Sequence, residues 1–134
     1  MTMTSDRPAM AAAKAQSSFG LSPQDDLNDL RMSDKALPLY NKVKAFIKDV
    51  CEPASEEYHR LGEGRPDVWQ YGEGQLDVLN AAKEKAKAAG LWNFFLPNAE
   101  TGEGLSNLDY AYIAVELGKV RLASEIMNCA APDT

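Results

Sequence analysis

Histidine is almost absent: His59 is the only one among 134 residues. A zinc site built on paired histidines is thereby excluded. Cysteine is nearly as scarce. Cys51 and Cys129 lie far apart, and neither belongs to a Cys-x-x-Cys pair. With no secretory apolar segment at the start, they read as buried, reduced thiols in a reducing compartment. Long apolar runs are missing too. The longest, near Leu91–Pro97, falls far short of the roughly 20 residues of a membrane helix, so no span is expected. Positive charge is in deficit: 14 basic against 20 acidic side chains leave a net charge of −6. Phosphate backbones need a concentrated basic face, so no nucleic-acid partner is expected.

The familiar chemical motifs are also lacking. Gly-Glu-Gly occurs at 62–64, 72–74 and 102–104, but none continues into Gly-x-Gly-x-x-Gly and none follows a good strand. A phosphate cradle needs both, so the three read as turns. There is no Gly-x-x-x-x-Gly-Lys-Ser/Thr run and no Gly-x-Ser-x-Gly elbow. His59 has no evident orienting partner and reads as a surface or helix-end residue. Glu56–Glu57 and Asp25–Asp26 are adjacent rather than convergent, which suits no paired-carboxylate chemistry. No catalytic residue and no metal ligand set is assigned.

What is present is a chain with 45% apolar and 25% charged residues, globular proportions for one domain. Residues 1–32 are set apart by small and polar residues and by Asp25, Asp26 and Asp29. They read as a flexible leader, with a docking helix over Pro23–Leu30 or a transit peptide as alternatives. Residues 33–134 form the body. Leu39, Val43, Phe46, Val50, Ala54 and Tyr58 step at helical spacing, and Pro53 predicts a kink or two helices meeting. Residues 61–75 are a loop, with Val68, Trp69 and Tyr71 expected to fold back as an anchor.

A second helix is predicted over Leu76–Ala89, with Leu76, Leu79, Ala82 or Lys83, Ala86 and Ala89 inward and Gly90 as its C-terminal cap. Lys83, Lys85 and Lys87 read as a solvated face. Leu91–Leu96 could be a strand or an extended buried segment. Ser106 and Asp109 have capping-box spacing. Leu108, Ala111, Tyr112 and Val115 mark the face of the next helix, which Gly118 ends, and Ser124 would cap a last helix over Glu125–Cys129. The predicted fold is all-α: a bundle of four to five helices with one short extended segment.

Four passages in order resemble the N-terminal helical domain of acyl-CoA dehydrogenases. They are Val43-Lys44-Ala45-Phe46-Ile47 through Pro53-Ala54, then Ala86-Lys87-Ala88-Ala89-Gly90-Leu91-Trp92-Asn93-Phe94-Phe95-Leu96-Pro97. Next comes Gly104-Leu105-Ser106-Asn107-Leu108-Asp109-Tyr110-Ala111 leading into Glu116-Leu117-Gly118. The fourth, Asn128-Cys129-Ala130-Ala131-Pro132-Asp133-Thr134, is similar to a run in one long-chain branch. The likeness spans roughly residues 36–134.

The resemblance implies an FAD flavoenzyme that removes the α-proton of an acyl-CoA thioester and passes the β-hydrogen to flavin as hydride. It also implies an electron-transfer acceptor and a homo-oligomer of the complete enzyme. The family's N-terminal domain supplies one wall of the acyl pocket. By position, Ile126, Met127, Ala130 and Thr134 would face the chain, with plain packing as their other reading. The family's base and main FAD contacts belong to domains that would follow Thr134. The segment alone is therefore expected to be inactive and not to hold FAD. A cytoplasmic setting is expected, with mitochondrion and peroxisome as alternatives. The competing functional reading is a stand-alone helical interaction module without flavin, for which Trp92, Phe94, Phe95 and Ile126 would be left as exposed apolar surface.

Overall fold

Pro38 suits the first turn of a helix, where a missing N–H breaks no intrahelical bond. In the computed structural model, which describes residues 30–130, helix α1 runs Leu37–Phe46 with this proline in its first turn. A π-helical turn, Ile47–Cys51, follows, and α2 spans Glu52–Gly62. Pro53 sits in the first turn of α2. Where a kink or a junction was expected, the backbone at Phe46, Ile47, Cys51 and Glu52 keeps right-handed helical angles. The Glu52 amide bonds to the Ile47 carbonyl five residues back. The wider turn accommodates the donor that proline lacks.

Burial along this rod departs from the expected stripe. Leu39, Phe46, Val50, Ala54 and Tyr58 are only half-buried, whereas Val43, Ile47, Cys51 and Ser55 are buried. The rod packs along α3, Gln75–Ala88, whose buried residues are Gln75, Leu79, Ala82 and Ala86. Leu76, expected inside, is 42% exposed. Gly90 does cap α3. Its φ of +67° is left-handed, the Leu91 amide bonds to the Ala86 carbonyl at 2.8 Å, and the Gly90 amide bonds to Lys87 O at 3.0 Å. This is a Schellman motif, which favours glycine because a Cβ is strained at positive φ.

The loop between α2 and α3 is latched by one buried side chain. Gln75 Oε1 accepts from the Gly72 amide at 2.9 Å, and its Nε2 donates to Tyr58 O at 3.0 Å. Gly72 lies so close to α2 that a Cβ would fall 2.0 Å from the Leu61 carbonyl oxygen. The predicted apolar anchor is not one: Val68, Trp69 and Tyr71 are 67%, 91% and 58% exposed. The polar latch holds the loop, and the aromatics are free to face outward.

Leu91–Leu96 is neither strand nor extended segment but a turn. Asn93 is left-handed at φ +59°, the Leu96 amide bonds back to Asn93 O at 3.1 Å, and Leu91 and Phe94 are buried. Helix α4 covers Asn107–Leu117, with Ser106 as N-cap accepting from the Asp109 amide at 3.1 Å. Its inward residues are Asp109, Ile113 and Leu117, not the expected Leu108, Ala111, Tyr112 and Val115. The helix is apolar nearly all round, so spacing alone could not choose its face.

Helix α5 is a single turn, Ala123–Ile126, beginning after Leu122; Ser124 makes no cap, and the helix lies earlier than Glu125–Cys129. No strand occurs among the described residues, so the fold is all-α. The core is built around Val43, Cys51, Leu91, Phe94, Ile113, Leu117, Ile126 and Met127. The Leu30 carbonyl accepts from Tyr112 Oη at 2.6 Å, and Met32 packs on the core. The leader residues before Leu30, with nearly all of the suggested docking helix, lie outside the described residues.

Candidate functional site

Helix α5 is too short to be stable alone and is held from three sides. Lys83 of α3 forms an ion pair with Glu125. The Asn93 amide, in the turn after α3, donates to Met127 O at 3.2 Å. Behind α5 the chain closes on itself: the Cys129 amide bonds to Ser124 O at 2.7 Å and the Asn128 amide to Glu125 O at 3.2 Å.

Of the four positions expected beside an acyl chain, Ile126 and Met127 are both 0% exposed and point into the core. Ala130 is exposed at the segment's edge, and Thr134 lies outside the described residues. The segment thus offers an edge, Met127–Ala130, backed by packed side chains rather than lined by them.

Aromatic residues, Phe94 buried and Trp92, Phe95 and Tyr110 half-buried, lie in the preceding turn and in α4. The Phe94 and Phe95 rings lie 6.2 and 6.3 Å from Tyr110, and Lys87 Nζ sits 4.7 Å above the Trp92 ring. Phe94 and Ile126, which the interaction-module reading would leave as exposed apolar surface, are buried, while Trp92 and Phe95 are half-buried. Burial, then the neighbouring Cys129, pushes the Tyr110 hydroxyl up to about 12. Burial likewise raises Cys51 to about 12 and Cys129 to about 11. Both cysteines are free and buried thiols, and neither is a nucleophile at neutral pH.

The larger open cavity, about 510 Å³, lies at the α2–α3 loop, lined by Tyr58, His59, Arg65, Trp69, Tyr71 and Arg121 among others. A smaller apolar groove, about 300 Å³, runs between the rod and α3 beside Val50, Pro53, Ala54, Val78 and Lys85. Neither includes Ile126, Met127 or Ala130. The lysines form no shared anion site: Lys83 pairs with Glu125 and Lys87 with Glu84. Among the described residues, no group of three or more His, Cys, Asp or Glu could hold a metal ion, and no helix is long and apolar enough to cross a membrane.

No family profile matches the chain. Curated proteins do. Acyl-CoA dehydrogenase family member 11 of Pongo abelii is 45% identical over 96 residues, covering 69% of this chain and 11% of that protein. Family member 10 of Mus musculus is 37% identical over 108 residues, covering 77% of this chain and 10% of that one. A solved Mycobacterium abscessus structure assigned as an acyl-CoA dehydrogenase superposes with a TM-score of 0.58 at 35% identity, over 77% of this chain and 26% of that chain. The chain is homologous to one segment of acyl-CoA dehydrogenases. It spans about a tenth to a quarter of the length of these relatives. The acyl-CoA dehydrogenase likeness covers 69–77% of this chain.

Proposed function

We propose that this chain forms one helical wall of an FAD-dependent acyl-CoA dehydrogenase, with the Met127–Ala130 edge beside the acyl chain. The 45% identity to an acyl-CoA dehydrogenase carries the reading. Apolar, closely packed helices suit an alkyl chain. In such an enzyme a bound flavin would supply the capacity to accept hydride, with the proton-abstracting group lying outside this chain.

The described residues do not themselves fit a flavin. Gly72-Glu73-Gly74 precedes α3, but the Gly72 amide is already taken by Gln75 Oε1. None of the described residues forms a strand-to-helix phosphate cradle. No catalytic step is assigned to this chain; the base and main flavin contacts belong, in this proposal, to other segments. Acyl-CoA, an electron-transfer acceptor, a homo-oligomeric state and a cytoplasmic location are proposed for the complete enzyme.

Purified as 134 residues, the protein is expected to carry no stoichiometric flavin and to show no acyl-CoA-dependent bleaching; stoichiometric FAD with bleaching would overturn the division of labour. Sequencing the DNA beyond codon 134 tests the wall itself. An open frame encoding a β-rich segment and a further helical bundle supports it. An immediate stop favours the second reading, a helical interaction module, for which the outward Val68, Trp69 and Tyr71 are the specific observation.

A further inference from the structure

Two non-glycine residues among those described have left-handed backbones, Asn93 at φ +59° and Asn128 at φ +55°. They lie 35 residues apart in sequence, and the Asn128 Nδ2 donates to Asn93 Oδ1. We propose that this pair is a clasp that positions the Met127–Ala130 edge, which makes both asparagines positioning residues for the acyl-binding wall. The inference rests on the wall reading above.

The choice of residue at 128 is the key. Asn128 occupies the left-handed place after α5, and the Cys129-to-Ser124 and Asn128-to-Glu125 backbone bonds are those of a Schellman motif. Glycine makes the same two bonds with less strain, as Gly90 does behind α3. Capping alone therefore gives no reason for a side chain at 128. The carboxamide bond to Asn93 does. Asn93 repeats the pattern from the other side, holding a left-handed backbone while its amide donates to Met127 O at 3.2 Å. Backbone and side-chain bonds thus tie the turn after α3 to the residues on both sides of the Met127–Asn128 junction. Strained residues that fasten two segments are characteristic of sites whose geometry must be held. Met127 and Cys129 are buried to either side, and Ala130 emerges at the end of the fastened stretch.

The test is amide hydrogen exchange on the full 134-residue chain, with Asn128→Gly, Asn93→Gly and Asn93→Asp, and with palmitoyl-CoA as the probe. Asn128→Gly is expected to keep or raise the melting temperature, since it relieves a left-handed asparagine. It should nonetheless speed exchange at Met127–Ala130 by about tenfold, leaving α3 and α4 unchanged. Asn93→Gly should do the same, and Asn93→Asp, which keeps an acceptor and tolerates the backbone, should restore protection. Unchanged or slower exchange in both glycine variants would overturn the clasp. Should Asn128→Gly not fold, the two Asn93 variants decide. Palmitoyl-CoA should slow exchange at Met127–Ala130 in the wild type and less so in Asn128→Gly. No slowing in the wild type would defeat the positioning role, the wall itself being decided by the frame beyond codon 134, while the probe-free comparison still decides whether the clasp exists.

Discussion

The carboxylate of Asp109 accepts hydrogen bonds from both the amide and the hydroxyl of Ser33, 76 residues earlier, at 2.7 and 3.0 Å. One buried acid thereby fastens the start of α4 to the segment leading into α1. Burial alone would raise its pKa. The Ser33 amide, the Ser106 hydroxyl, the Ser33 hydroxyl and the Ser106 amide outweigh burial and lower it.

Asp109→Ala should therefore destabilise the fold by about 1–3 kcal/mol, because the donors lose a charged acceptor. A depressed carboxylate contributes stability above its unfolded value of about 4 and loses it as pH falls through the lower folded value. Urea titrations between pH 7 and pH 2 should show a steeper acid decline in the wild type than in Asp109→Asn. Parallel pH profiles for the two would refute the assignment.

Two glycines should differ in how much alanine costs. At Gly90 a Cβ would find only Lys42 Nζ at 3.9 Å, so the penalty is the positive φ alone, about 1–2 kcal/mol. At Gly72 the Cβ would overlap the Leu61 carbonyl, and the loop must move. Melting curves should rank Gly72→Ala below Gly90→Ala; the reverse order would contradict the latch.

Cys51 and Cys129 should resist a thiol reagent such as DTNB at pH 7.5 and react fully in urea. With both pKa values raised by burial to about 12 and about 11, the thiolate is nearly absent in the folded state. Rapid native labelling of either would mean that its surroundings open.

Trp69→Ser should leave the melting temperature within about 0.5 kcal/mol equivalent, because the ring packs on little. It should reduce concentration-dependent light scattering if the loop is adhesive. A large loss of stability would show that the ring is an anchor after all.

Much of the fold was legible where a local rule has one solution. Gly90 as a cap and Ser106 as an N-cap follow from single residues at helix ends, and both are made. Inward faces were harder. In α4 nearly every residue is apolar, and only the partner Ser33 reveals why Asp109 turns in. Trp69 misled for a related reason: hydrophobicity says a ring gains from burial, but the loop was already secured by Gln75. At the candidate site, Ile126 and Met127 were singled out by resemblance, whereas the packing of α5 against α3, α4 and the π turn has no local signal. The Asn93–Asn128 bond left two ordinary asparagines in the sequence, with no local signal that they meet.

The π turn has a geometric consequence for the whole rod. Val43, Ile47, Cys51 and Ser55 cover 12 residues in three steps. On an ideal α-helix that spacing would rotate the inward direction by about 120°, since each residue turns it by about 100°. One residue absorbed in a wider turn removes about 100° of that drift. Deleting a single residue between Ile47 and Cys51 would leave two good helices and swing the second away from α3, taking the Tyr58 carbonyl from Gln75. The proline of this helix is accommodated as a change of phase, and the seating of the α2–α3 loop depends on that phase being kept.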